Sequence, residues 1–397
     1  MLDRTALPNN PGGVNPRLAW ILRFAGEWLF VGLLMPASIL YGAPGRIDIA
    51  FPHFLNADAV VNAIEIQPDG KILIAGPFST FGVKRRSGIA RLNADGSLDE
   101  TFDTGGIGVG EITKIKLQPD GKVLIGGSFH KIGDTFHGPI ARLNTDGSVD
   151  TSFAVSGIDV TFVFDIDLQQ DGKILISASN LIGASFVARL LQNGVNDGGI
   201  GQQFFSASGF GYSVADVPGA GKILIGGNFA LGNAKGLVRV SSAGGVDMTF
   251  NASVTSTAFG TVVHPRPLPS GKLYIYGNFD SVNGATRVAI ARLENDGTID
   301  TFFNPATSGI AAINDIAIQP DGKIIIAGRS FPTNVFPRGN IARLNPDGSL
   351  DQTFYVGRGA NNDIKAVRLQ GTTKLLVGGA FTRFQNLPRS GLVRLNL

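Results

Sequence analysis

The chain of 397 residues contains 54 Gly, no Cys and 16% charged residues, and its net charge is +3. An apolar content of 43% excludes a disordered chain, and Gly at about twice its usual share without a G-X-Y period excludes collagen. The lack of Cys rules out a disulfide scaffold, thiol chemistry and Cys-ligated metal, and +3 over this length is too weak a field to argue for nucleic acid.

Residues 1–44 read as a targeting segment. Arg17 and Arg23 precede the apolar run from Trp28 to Leu40, and Gly42-Ala43-Pro44 follows it. A cationic region, an apolar core of roughly 13 residues and a small-residue exit describe a cleaved signal peptide. Taken whole, Leu18 to Tyr41 is long enough to span a membrane as a retained signal anchor. Either reading puts the remainder in a secreted, periplasmic or cell-surface setting, with membrane contact only through this segment. Glu27 and Tyr41 depart from the pattern, which keeps open a third reading, a mis-assigned start without export.

From residue 45 onward the chain repeats itself. A motif of the form Q-P-D-G-K-I-L-I-x-G places Lys at Lys71, Lys122, Lys173, Lys222, Lys272, Lys323 and Lys374, spaced by 51, 51, 49, 50, 51 and 51. About twenty residues after each comes A-R-L-N-x-D-G-S-x-D-x-x-F, with Arg at Arg91, Arg142, Arg189, Arg239, Arg292, Arg343 and Arg394. Each repeat predicts four short strands: a run such as Ala63 to Gln67, then Lys71 to Ile74, then Ile89 to Asn93, then Ser97 to Phe102. Pro68-Asp69-Gly70 and Asp95-Gly96 supply the tight turns, since Pro presets φ, Asp bonds to nearby backbone and Gly accepts positive φ. No segment of the repeat keeps a 3.6-residue apolar period, so helices are not expected.

Four-stranded units of about 50 residues, seven times over, describe an all-β, seven-bladed β-propeller. Blade spans fall at about 52–102, 103–153, 154–204, 205–250, 251–303, 304–354 and 355–397. The last repeat ends after its third strand. Gly45 to Phe51 matches Gly96 to Phe102 in its Gly, Asp and Phe spacing, one period earlier. The N-terminal strand is therefore expected to pair onto the last blade and close residues 45–397 into one ring, three strands plus one, removing two open sheet edges.

These paired motifs resemble the delta-60 repeat family of bacterial, mostly secreted β-propellers, over roughly residues 45–397. Repeats three and four depart most, because Leu190 to Gly194 and Val240 to Gly244 lose the NxDG turn. The resemblance implies the fold and export; it brings no catalytic residues. The Kelch family is a more distant likeness, and its aromatic signature is missing.

The search for chemistry gives structural roles to what recurs. The NxDG loops, such as Asn93 to Asp99, fit hairpin needs completely; a calcium site there is the lesser reading, because the loops lack the alternating spacing and bidentate Glu of a calcium loop. Otherwise no cofactor is expected. Arg91 on the third strand is expected to pair across to Asp99 on the fourth. His130, His137 and Asp134 share one loop and could form a metal or acid–base cluster, with plain solvated residues as the alternative. No G-x-S-x-G, H-E-x-x-H or Walker motif occurs.

Binding diversity belongs to the connections that vary between repeats, joining strand two to three and strand four to the next blade. Their inventory is Lys84, Arg85 and Arg86 in repeat one, His130, Lys131, Asp134 and His137 in repeat two, and Phe331, Phe336 and Arg338 in repeat six. Repeat seven adds Asn361, Asn362 and Asp363, then Arg383, Phe384 and Arg389. A second set lies two residues before the Gln position of the first strand: Glu65, Lys116, Asp167, Asp216, Arg266, Ala317 and Arg368. Glu65–Lys116, Lys116–Asp167, Asp216–Arg266 and Arg368–Glu65 are opposite in sign and predict inter-blade ion pairs near the channel, while Asp167–Asp216 breaks the pattern. The expected function is a non-catalytic binding or scaffold propeller facing a protein or cell-surface polymer. A hydrolase or lyase with a central-channel pocket and a structural cell-surface or adhesion element are the alternatives.

Overall fold

The computed structural model describes residues 42–52, 57–200, 203–204, 210–231, 234–257, 260–305, 307, 310–329 and 339–397. Residues 1–41, most of the stretch expected to be a targeting segment, and the loop containing Phe331, Phe336 and Arg338 lie outside the described residues. Every regular element among the described residues is a strand, and no helix there is long and apolar enough to cross a membrane.

Each of the seven Lys-containing motifs supplies the middle strand of an antiparallel sheet. In repeat one, Ala63–Ile66 pairs with Ile72–Ala75, which pairs with Ile89–Leu92. Ile72, Leu73 and Ile74 are fully buried, because a middle strand is covered on both faces and so reads as an unbroken apolar run. The Pro68-Asp69-Gly70 turn works as its residues dictate: the Gly70 amide donates to the Gln67 carbonyl at 2.9 Å, Asp69 Oδ1 accepts the Lys71 amide at 3.0 Å, and Gly70 has φ of 85°. The Gly that ends the motif has a different cause. A Cβ on Gly127 would lie 2.0 Å from the carbonyl oxygen of Glu111, the residue that leads into the first strand, so the chain closes here only over a glycine.

The fourth strand is much shorter than expected. In repeat one it is a single bridge between Leu92 and Leu98. The Asp99 amide still bonds the Arg91 carbonyl at 2.9 Å, but Asp99 Oδ1 then accepts the Thr101 amide and hydroxyl at 3.0 and 2.6 Å. That side-chain turn draws the chain away from the ladder and delivers Phe102, 1% exposed, to the core. The connections read as loops carry unexpected structure. Thr80–Phe81 pairs with Lys84–Arg85, and Ser281–Val282 with Ala285–Thr286. Asn283 and Gly284 at the tip of the second hairpin have φ of 49° and 81°, the pattern of a tight two-residue hairpin turn.

Neighbouring sheets bury their faces against each other. Leu73 and Ile89 of repeat one pack with Ile112, Ile125 and Phe129 of repeat two. Ile72, Ile74 and Leu92 of repeat one pack with Ala366, Leu376 and Leu392 of repeat seven. The segment preceding repeat one meets the end of the chain: Ile47 bridges Leu395, and the Asp48 amide donates to the Arg394 carbonyl at 2.8 Å. These contacts duplicate those of Leu98 and Asp99 within repeat one.

Candidate functional site

The charges that recur in every repeat are spent on the sheet. Asp99 Oδ2 accepts Lys71 Nζ at 2.8 Å and Arg91 Nε at 2.7 Å, with the Arg and Asp side chains only 8% and 5% exposed. The same guanidinium donates to the Thr145 carbonyl of the next repeat at 2.5 Å and covers the Phe102 ring at 4.8 Å. Burial works to raise the Asp99 carboxyl, but bonds from Lys71, Thr101 and Arg91 outweigh it and hold the group well below the usual carboxylate range. The clamp survives in the divergent repeats, through Asp197 and Asp247. In the last repeat the acid is Asp48, 2.9 Å from Lys374 and 2.8 Å from Arg394. The NxDG carboxylates are likewise engaged: Asp95 Oδ1 accepts the Ser97 amide and hydroxyl at 2.9 and 2.7 Å. Among the described residues no group of three His, Asp or Glu is disposed around a metal position.

The variable connections bring some of the expected residues together. A cleft of about 530 Å³ between the hairpins of repeats one and two is lined by Arg85, Arg86, Lys131 and Asp134, with Asp103. Arg86 lies 3.4 Å from Asp103, and its buried Nε has no partner. Lys84 turns instead to Glu100 at 3.1 Å. His130 and His137 sit at the base of the second hairpin, where the His137 amide donates to the His130 carbonyl, and neither lines the cleft. In repeat seven, Asn361 Oδ1 accepts the amides of Thr382 and Arg383, so Asn361 and Arg383 share one turn. Asn362 accepts the Asp363 amide, and Asp363 faces Lys365 at 3.4 Å. Arg383 and Arg389 donate to the carbonyls of Asn386 and Pro388, and Phe384 is buried.

A larger cavity, about 760 Å³, runs between the first strands of all seven repeats. Two of the four expected inter-repeat ion pairs form there: Lys116 with Asp167 at 2.6 Å and Arg368 with Glu65 at 3.4 Å. Glu65 with Lys116 and Asp216 with Arg266 form none among the described residues. Lys116 has one ammonium and turns to Asp167, while Asp216 accepts Gln169 at 2.9 Å. Burial raises the Asp216 carboxyl; the Gln169 bond opposes that, and Asp167 and Asp171 add to it.

A second charged layer, absent from the sequence reading, lies two residues further up the same strands. Lys114 meets Asp165 at 3.2 Å, and Arg368 meets Asp315 at 2.5 Å. The Ser213 hydroxyl donates to Asp165 at 2.5 Å. Lys114, Asp165, Ser213 and Asp315 each follow a register shift in their strand, and such bulges re-aim side chains. Repeat five contributes His264 and Tyr276, directly opposite in register and stacked at 5.3 Å. Burial, helped by Lys114 and opposed by Asp165 and Asp315, lowers the His264 pKa to about 4, so the ring is neutral at pH 7. Burial and then Asp315 push the Tyr276 hydroxyl far up. The signal for this layer was period two: residues four before the Gln position share a strand face with those two before it.

Residues 67–102, 118–153, 268–303, 319–354 and 374–397 match the family described as Domain of unknown function (DUF5122) beta-propeller. No curated protein matches the chain. Among solved structures, a chain of the Mitotic Checkpoint Complex is similar at 13% identity and a TM-score of 0.51, over 96% of this chain and 99% of that one. YCF48 from Cyanidioschyzon merolae follows at 14% identity and 0.45, over 86% and 96%. A gluconolactonase of Xanthomonas campestris is similar at 10% identity and 0.44, over 91% and 93%. At 13% identity the first of these likenesses speaks to the fold alone.

Proposed function

We propose that this chain, which belongs to the DUF5122 beta-propeller repeat family, is an exported binding module. In this reading residues 45–397 form one seven-bladed ring closed three-plus-one, and its variable face presents loops to a protein or a cell-surface polymer. Export rests on the composition of residues 1–44. Closure rests on the bonds of Gly45 to Asp48 with Arg394 to Asn396.

The observation that carries the binding role is the cleft between repeats one and two. Arg85, Arg86 and Lys131 line it against Asp103 and Asp134, a cationic excess suited to an acidic group on the partner. Loops that differ from repeat to repeat on a rigid scaffold are the usual place for recognition. The test is a pull-down from the envelope of the exporting cell, comparing the full chain with a variant carrying Arg85→Ser, Arg86→Ser and Lys131→Ser. Loss of the recovered partner by the variant is expected. Equal recovery by both would remove this cleft as the binding surface.

A further inference from the structure

Five cations and five acids line the channel, so its charges cancel as a whole, but not every one of them has a partner of opposite sign. Lys114 is matched by Asp165, Lys116 by Asp167, and Arg368 by Asp315 and Glu65. Lys365 turns to Asp363, and Asp216 is held by Gln169. What remains is a cluster from repeat five. Arg266 lines the cavity, exposed to it, and has neither ion pair nor hydrogen bond among the described residues. The ring nitrogens of His264 and the hydroxyl of Tyr276, both lining the same cavity, also have no protein hydrogen bond among the described residues.

Repeat five departs from the others to make this cluster. Its first strand runs from Val262 to Pro267 without the register shift present in repeats two, three, four, six and seven. His264 and Arg266 share one strand face, as the positions four and two before the Gln site do in the other repeats. Tyr276 stands where the other repeats have Ala75, Gly126, Ser177, Gly226, Ala327 and Gly378. The stacked His264 and Tyr276 rings are tilted by only 28°, which holds both polar tips in place before any ligand arrives.

We propose that the channel binds a small organic monocarboxylate, its carboxylate held by the Arg266 guanidinium and the Tyr276 hydroxyl, with His264 bonding an adjacent polar group. A guanidinium fork matches a planar carboxylate bidentately. His264 and Tyr276 are neutral hydrogen-bonding groups at pH 7, so the cluster offers one net positive charge and suits a monoanion better than a phosphate dianion. A volume of about 760 Å³ is within the range of small-molecule sites.

The probe is lactate, with lactamide as its neutral isostere and inorganic phosphate as the dianion, titrated at pH 7 into the full chain by ligand-observed NMR. Lactate is expected to bind and lactamide and phosphate to bind more weakly. Arg266→Gln is expected to weaken lactate about 10-fold or more, the effect of one charge-assisted bond. Tyr276→Phe, which keeps the stacking, should weaken it less, and Arg85→Ser in the loop cleft should leave it unchanged. Absence of lactate binding, equal binding of lactamide or phosphate, or an unaltered Arg266→Gln variant would overturn the assignment. Because Arg85→Ser reports on the loop face alone, the two sites succeed or fail separately.

Discussion

The seven Lys–Asp–Arg clamps and the ion pairs of the channel use the same chemistry for different ends. Each clamp repeats its geometry: one carboxylate, one Lys at the start of the middle strand and one Arg on the third strand, with an aromatic ring beneath the Arg in six of them among the described residues. No two repeats contribute the same set to the channel, where Lys114 and Lys116 face Asp165 and Asp167 and repeat five offers His264, Arg266 and Tyr276. A charge that recurs at every period serves what every period must do, which is to fold and join its neighbour. A charge that appears once serves something that happens once.

The clamps should give the largest effects. Asp150→Ala leaves Arg142 and Lys122 without their shared acid, and stranding buried charges costs about 3–5 kcal/mol. Asp48→Ala does the same to Arg394 and Lys374, but its acid comes from the other end of the chain. If the ends close the ring, both variants should shift the urea midpoint equally. A much smaller shift for Asp48→Ala would show the N-terminal segment to be an ornament. Both should also lose acid sensitivity. The clamp carboxylates ionise in the fold below their ordinary 3.8, so their stabilisation is present above that pH and fades as the pH falls through the folded value.

The channel predicts a different pH window. The unfolded chain binds a proton at His264 near 6.5, while the folded chain resists until about 4. Protonation therefore favours unfolding as the pH falls from 6.5 to 4, by a limiting amount of about 3 kcal/mol. His264→Gln should flatten that part of the stability curve while leaving the clamp region below pH 4 intact. An unchanged slope between pH 4 and 6.5 would mean that water reaches the ring freely.

The recurring half of this comparison was legible in the sequence, and the single-copy half largely was not. Pro68-Asp69-Gly70, the Arg91–Asp99 pair and the match of Gly45–Phe51 to Gly96–Phe102 all announce themselves by repetition. Repetition also misled. Ser97 to Phe102 alternates like a strand, but the Asp99 side chain bonds Thr101 and ends the ladder after one bridge. The hairpin at Asn283-Gly284 carried a plain turn signal within a connection read only as variable. Asp165, Asp315 and His264 were overlooked because only one of the two cavity-lining positions of each first strand was followed from repeat to repeat. Tyr276 could be found only as a bulky exception at a position otherwise Ala, Gly or Ser. Bulges decide which channel residues point inward, and a bulge is a count of residues against a partner strand that no single strand reveals.

Smaller effects complete the contrast. Lys116 and Asp167 are 30% and 20% exposed, so a double-mutant cycle with Lys116→Met and Asp167→Asn should return a coupling of about 1 kcal/mol or less, well under that of a clamp. The smallest change belongs to the loop face. Arg85 is exposed on its two-residue strand, and its carbonyl accepts the Arg86 guanidinium, a bond that Arg85→Ser preserves. The urea midpoint of Arg85→Ser should therefore correspond to a change within about 0.5 kcal/mol, even as recovery of an acidic partner falls. A loss of stability on the scale of Asp150→Ala would place Arg85 among the residues that build the sheet, and the line between recurring and single-copy charges would have to be redrawn through this hairpin.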